Sequence, residues 1–128
     1  MIKLLYILAG GSIGAISRYA LAGLSHKLVE STYPIGTLTV NLTGSFVIGV
    51  LFGLTELFTL SPNIRAFVFI GVLGSFTTFS SYSLETMNLF KDGELKSALL
   101  NILYNNVFGL ILVFLGLFAT KAIINAIH

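Results

Sequence analysis

Charged residues are so sparse along this chain that they act as punctuation between apolar runs. Stretches free of Asp, Glu, Lys and Arg cover residues 4–17, 31–55, 66–84 and 97–120. Arg18 alone interrupts the first, so Leu4 to His26 still reads as one segment. Each segment approaches the roughly 20 apolar residues that a helix needs to cross a bilayer. The pattern predicts an all-α membrane protein with four spans, at residues 4–25, 34–57, 65–88 and 97–122, forming one transmembrane domain over 1–128. Tyr33-Pro34 marks entry to the second span, because proline suits a first helical turn and disfavours helix just before it. Ser61-Pro62-Asn63 separates spans two and three, and Lys91-Asp92-Gly93-Glu94 is a short charged turn before span four.

The third run differs from the others. Between Arg65 and Glu85 it carries Gly71, Gly74, Thr77, Thr78, Ser80, Ser81 and Ser83, a poor composition for a helix facing lipid. At hydrocarbon depth its polar half must turn toward protein, an ion or water. Gly71 and Gly74 followed by Thr77-Thr78 predict that the third helix is broken near its middle. A break frees backbone carbonyls, which can replace the hydration shell of a small cation. Phe79 and Tyr82, three apart, share a face. Aromatic rings have a positive edge that can touch an anion without gripping it. Packing against lipid or another helix is the plainer use of the same two rings.

Two other spans carry polar stripes. Thr37, Asn41 and Ser45 recur at i, i+4, i+8 in span two, with Gly44 adjacent. Asn101, Tyr104, Asn105 and Phe108 fall on one expected face of span four. Asparagine at this depth either bonds across a helix interface or offers its N–H groups to a passing ion. Arg18 is the one charge well inside a span. It either snorkels to the surface or serves a buried vestibule, and interior arginines of membrane proteins are usually functional. Gly10/Gly14 and Gly49/Gly53 form GxxxG pairs and read as close helix packing.

Composition mostly excludes. The 128 residues are 55% hydrophobic and 9% charged, which rules out disorder. The net charge is +2 with no Lys/Arg run, so nucleic acid is not a partner. There is no cysteine, hence no disulfide, thiol nucleophile or zinc–thiolate site. Gly10-Gly11-Ser12-Ile13-Gly14 lacks the soluble βαβ setting of a dinucleotide site. Asn41-Leu42-Thr43 is a glycosylation sequon inside a span and is discounted. Lys3 before an apolar run has the outline of a signal peptide, but Arg18 and three further spans favour a first transmembrane helix.

Charge also speaks to orientation. With four spans, Lys3, Arg65 and Lys121 share one face, and Lys27, Lys91 and Lys96 share the other. That balance gives no positive-inside bias. A chain without bias can insert both ways, so two copies can meet antiparallel; orientation by Arg18 or by insertion factors is the alternative.

Three motifs together are specific. Gly10-Gly11-x-x-Gly14-Ala15-x-x-Arg18-Tyr19, Gly36-Thr37-Leu38-x-Val40-Asn41-x-x-Gly44 and Gly74-x-x-Thr77-Thr78-Phe79-Ser80-Ser81-Tyr82-Ser83-x-Glu85 resemble the Fluc-type bacterial fluoride channels, the dual-topology fluoride exporters. The resemblance covers nearly the whole chain. It implies an antiparallel homodimer of four-helix subunits in the bacterial inner membrane, in contact with lipid, with two fluoride pores and a structural sodium ion at the dimer interface. By position it puts sodium on the backbone carbonyls of Gly74 and Thr77 from both subunits. Phe79 and Tyr82 stand where the family has two fluoride-facing phenylalanines, Asn41 matches the pore asparagine, and Arg18 the vestibule arginine. Thr37, Ser80, Ser81 and Tyr104 are candidate hydroxyl donors along the path. The chain departs from the family pattern at Tyr82, at Gly74-Ser75 where a glycine pair is usual, and at Gly109-Leu110 where many relatives have serine after the glycine. Asn105 or Asn106 is expected to stand in for that serine.

Two rival readings remain. A dual-topology drug/proton antiporter would need a titratable carboxylate at membrane depth. Glu56 and Glu85 are expected near span ends instead. A non-transporting scaffold subunit would need no aligned donor stripes. No catalytic constellation or nucleotide loop appears, so passive transport rather than enzymatic chemistry is expected.

Overall fold

In the computed structural model, which describes residues 1–127, the apolar runs become helices long enough to cross a bilayer. Helix α1 is Ile2–Leu28 and α2 is Ile35–Thr55. The third span has two parts. Its first part, α3, covers 62–76 as a turn at Pro62–Arg65, a widened π-helical stretch at Ala66–Leu73 and a last turn at Gly74–Phe76. Its second part, α4, is Phe79–Lys91. The last span, α5, covers Leu95–Ile127 and widens into a π-helical turn at Tyr104–Phe108. No strand occurs among the described residues.

The ends follow local chemistry. Pro34 caps α2. Ser61 accepts the Ile64 N–H at 3.3 Å, with Pro62 in the first turn where its missing N–H costs nothing. Gly93, at φ +78, closes the turn from α4 into α5 with a backbone conformation that residues with a Cβ rarely adopt. Spans one and three overrun the expected ends by a turn or less, with Lys3, Lys27 and Lys91 inside the terminal turns, whereas α2 stops two residues short at Thr55 and α5 runs five residues further, to Ile127. Long basic side chains can keep their charge in the headgroup zone while the helix continues.

Two glycine seams hold the bundle together. Gly10 and Gly14 of α1 face the backbone of α3 so closely that a Cβ at either would meet the carbonyl oxygen of Phe67 or Val72. Gly49 and Gly53 of α2 face α5 in the same way, against the Val113 carbonyl and Thr120, while Gly116 answers from α5. Lipid tails are as apolar as leucine, so such helices associate by close packing and hydrogen bonds rather than by a hydrophobic gain. The interior accordingly is not greasier than the outside. The two largest wholly enclosed side chains are Val40 and Asn101, while Leu, Ile and Phe side chains of α1 and α5 stand on the outer surface. Glu56 and Lys121 pair at 3.1 Å across the ends of α2 and α5, the one ion pair among the described residues.

Candidate functional site

The join between α3 and α4 is where the backbone leaves the helical path. Thr77 (φ −80, ψ 155) and Thr78 (φ −146, ψ 118) are extended. Of the residues expected to make the break, Thr77 and Thr78 are the extended pair, and Gly71 and Gly74 lie within helical turns just before it. What holds the extended pair is a side chain from another helix. Asn41 Oδ1 accepts the Thr78 N–H at 2.9 Å, and Asn41 Nδ2 donates to the Thr78 carbonyl at 3.0 Å. The asparagine thus mimics a strand partner for one residue. Thr78 in turn caps α4, its hydroxyl oxygen accepting the Ser81 N–H at 3.2 Å and its proton going to Ser81 Oγ at 3.1 Å.

These bonds have a consequence for the carbonyls. In an uninterrupted helix the Thr78 N–H would bond the Gly74 carbonyl, and the Ser81 N–H would bond that of Thr77. Asn41 and the Thr78 hydroxyl take those donors instead. Gly74 and Thr77 therefore present carbonyl oxygens without their regular partners, the donor set that suits a small hard cation. No cluster of three or more His, Cys, Asp or Glu fit to hold a metal ion occurs among the described residues.

The break opens onto a cavity of about 380 Å³. Asn41, Gly74, Thr77, Phe79 and Tyr82 all line it, so five of the expected site residues converge. The two rings meet edge-on, with centroids 5.2 Å apart and planes at 62°. Tyr82 is buried at 8% exposure and Phe79 stands at the mouth at 75%. A second cavity, of about 240 Å³, lies behind α2 and is lined by Arg18, Thr37, Ser81 and Thr78. Thr78 faces both. Ser80 and Tyr104 line neither cavity; the Ser80 hydroxyl lies 3.4 Å from that of Thr78, and the Tyr104 ring packs tilted against Phe108, centroids 5.4 Å apart.

Several hydroxyls and amides expected to face an ion are committed elsewhere. The second Asn41 N–H interaction goes to Asn105 Oδ1 at 2.9 Å. Thr37 donates to Glu85 Oε1 at 2.6 Å, while Glu85 Oε2 is buried with no partner among the described residues. Glu85, expected near a span end, thus gives α4 a carboxylate packed between helices. Asn101, 1% exposed, accepts from Asn105 at 3.0 Å and donates to Thr86 at 3.0 Å. The span-four stripe, which carries a widened turn at Tyr104–Phe108, divides by partner. Asn105 continues the amide chain, whereas Tyr104 and Phe108 pair with each other.

A family model described as CrcB-like protein, Camphor Resistance (CrcB), matches residues 5–117. The chain belongs to the CrcB family. Among relatives, a protein named fluoride-specific ion channel FluC from Parabacteroides distasonis is 45% identical over 127 residues, 99% of both chains. Another of that name from Salinibacter ruber is 47% identical over 91% of this chain and 87% of its own. A third, from Shewanella amazonensis, is 45% identical over 91% of this chain and 94% of its own. This CrcB-family chain is accordingly a multi-pass membrane protein whose four helices are long and apolar enough to span. Sequence reasoning within the family missed Thr78 as the pinned residue and Asn101 as the anchor of the amide chain. The signal for both was present as polar residues on spans two, three and four, but their pairing is set by tertiary contact.

Proposed function

We propose that this protein is a fluoride-specific channel that passively exports fluoride from the cytoplasm across the bacterial inner membrane. The observation that carries the reading is the cavity beside the Thr77-Thr78 break, where Asn41, Phe79 and Tyr82 meet, in a chain whose full-length relatives are named for this activity. Fluoride is small and tightly hydrated, and moving a bare charge into hydrocarbon is very costly. Hydroxyl donors and aromatic edges along a narrow path replace part of that water, and weak successive sites let the ion leave as well as enter. Arg18 in the second cavity draws the anion toward the path. A membrane potential of about 100 mV is worth roughly 2.3 kcal/mol per charge, which favours expulsion of an anion by about 50-fold. No coupling to a second substrate is needed.

The working unit is an antiparallel pair of copies forming two pores, each copy one transmembrane domain over 1–128 with its third helix broken near the middle. The balanced charge on the two faces and the exposed ring of Phe79 beside the cavity support this assembly. Gly74 and Thr77 of both copies would hold a structural sodium ion through carbonyls. Such an ion supplies a fixed positive charge that ties two breaks together. The chain's own part is to keep those carbonyls unpaired, which Asn41 and Thr78 do.

Fluoride release from vesicles containing the purified protein tests the channel, and exchange of sodium for a large organic cation tests the site at Gly74 and Thr77. Fluoride should leave in sodium and stop leaving in the organic cation. Release indifferent to that exchange removes the sodium site. Release that requires a proton gradient favours the antiporter instead, with Glu85 as the coupling carboxylate.

A further inference from the structure

The 380 Å³ cavity presents fewer free donors than its polar lining suggests. Asn41 spends its amide on Thr78 and Asn105, and Asn105 spends its own on the Asn101 carbonyl and Oδ1. Asn106 donates to Tyr82 Oη at 3.1 Å and to the Ile102 carbonyl at 2.8 Å. The Thr77 hydroxyl goes to the Leu73 carbonyl and that of Thr78 to Ser81. Ser45 and Tyr82 are left as the cavity-lining hydroxyls whose protons have no acceptor among the described residues.

Of these two, Tyr82 lies against Phe79 and is the one that is oriented. An amide N–H can only donate, so the phenol oxygen serves Asn106 as acceptor and its own proton must point elsewhere. A second contact, to the Ile102 carbonyl at 2.8 Å, ties the same amide nitrogen to the turn below and sets which end of the amide faces the phenol. The widened turn at Tyr104–Phe108 lets consecutive residues reach one cavity, Asn105 toward Asn41 and Asn106 toward Tyr82. Single widened turns of this kind recur at functional sites.

We propose that Asn106 positions the Tyr82 phenol as an anion-binding hydroxyl in the conduction path, a specificity-determining donor where a phenylalanine would offer only its ring edge. The inference rests on the channel reading above. An O–H bonded to an anion is a charge-assisted hydrogen bond, short and roughly twice as strong as a neutral one. A ring edge holds an anion far more weakly. The hydroxyl therefore lowers the fluoride concentration at which transport half-saturates and slows the ion's exit.

The test measures fluoride transport against fluoride concentration for the reconstituted protein, Tyr82→Phe, Asn106→Leu and the double variant. Dimer elution and thermal midpoint are recorded alongside. Tyr82→Phe should raise the half-saturating concentration about tenfold while increasing the maximal rate. Asn106→Leu should raise it severalfold when Tyr82 is intact and leave it unchanged when Tyr82→Phe is already present. A residue that merely packs would move stability and total transport, with half-saturation untouched. Unchanged half-saturation in Tyr82→Phe overturns the donor. An equal Asn106→Leu effect with and without Tyr82→Phe overturns the positioning role. Both results leave fluoride transport by the unsubstituted protein intact; absence of that transport would strike the channel reading and this inference with it.

Discussion

The glycine seams and the Thr77-Thr78 join solve opposite problems with opposite means. Along the seams, α1 meets α3 and α2 meets α5 with backbones nearly touching, and no polar side chain is needed beyond Thr120, which bonds the Gly116 carbonyl at 3.0 Å. At the join the backbone is held open chiefly by polar side chains, Asn41 (itself bonded to Asn105) and the Thr78 hydroxyl, while the Thr77 N–H keeps its bond to the Leu73 carbonyl at 3.1 Å. The seams are rigid because nothing fits between the helices. At the join Asn41 takes both the N–H and the carbonyl of Thr78, while the Gly74 and Thr77 carbonyls are left without their regular partners. A membrane interior supplies no water to repair either arrangement. The difference teaches that in this bundle stability is a matter of side-chain absence, and function a matter of side-chain commitment.

Substitutions at the two regions should therefore fail differently. The largest effect is expected at the seam. Gly14→Leu sets a side chain against the Val72 carbonyl, which cannot move aside, and should cost more than about 3 kcal/mol and abolish recovery of folded protein in detergent. Recovery of a normally eluting protein would show that the seam can open. Next comes Phe79→Ile, which removes the ring at the cavity mouth while keeping bulk. It should abolish fluoride flux with elution and helix content unchanged, and undiminished flux in vesicles would contradict the aromatic role.

Asn41→Ala falls between the regions, since it unpins the join without touching a seam. Loss of its bonds to Thr78 and Asn105 should cost about 3 kcal/mol and reduce flux at least tenfold. Thermal unfolding and flux measured on the same preparation check this. A variant that keeps full flux would mean that the extended pair holds itself. The smallest effect is expected outside both regions. Burial first, and the nearby Tyr104 phenol second, push the Tyr33 pKa upward, so this residue stays a neutral donor to Asn101 Oδ1. Raised in the fold, that pKa makes stability present at neutral pH fall away only as strongly alkaline pH is reached. Tyr33→Phe should cost less than about 1 kcal/mol in thermal unfolding and flatten the alkaline limb; a larger loss would place Tyr33 in the amide chain proper.

The same contrast explains what the sequence could reveal. Spans are legible because charges mark their ends, and the seams are legible because Gly10/Gly14 and Gly49/Gly53 carry the spacing of contact with them. The polar stripes announce that spans two, three and four face one another. Their commitments are not legible. Asn41 reads as an ion's ligand or a structural clamp until its distance to Thr78 is known, and Thr78 looks like any other hydroxyl in a run of five. Gly71 and Gly74 stand out because glycine loosens a helix, yet the extended residues are the threonines after them, selected by a partner on α2. Asn101 and Asn105 are tied into the amide chain while Tyr104 and Phe108 pair with each other, a division of partners that spacing alone does not reveal. Glu85 reads as an end group because its contact with Thr37, which crosses from α4 to α2, leaves no trace in the spacing.

The most direct measurement compares two halides in one preparation. Vesicles containing the protein are loaded with fluoride and chloride, and efflux of each is followed after the membrane is made permeable to the accompanying cation. A dehydrated path lined by a few committed donors should empty the fluoride and retain the chloride. Equal release of both, or retention of both, would contradict the account.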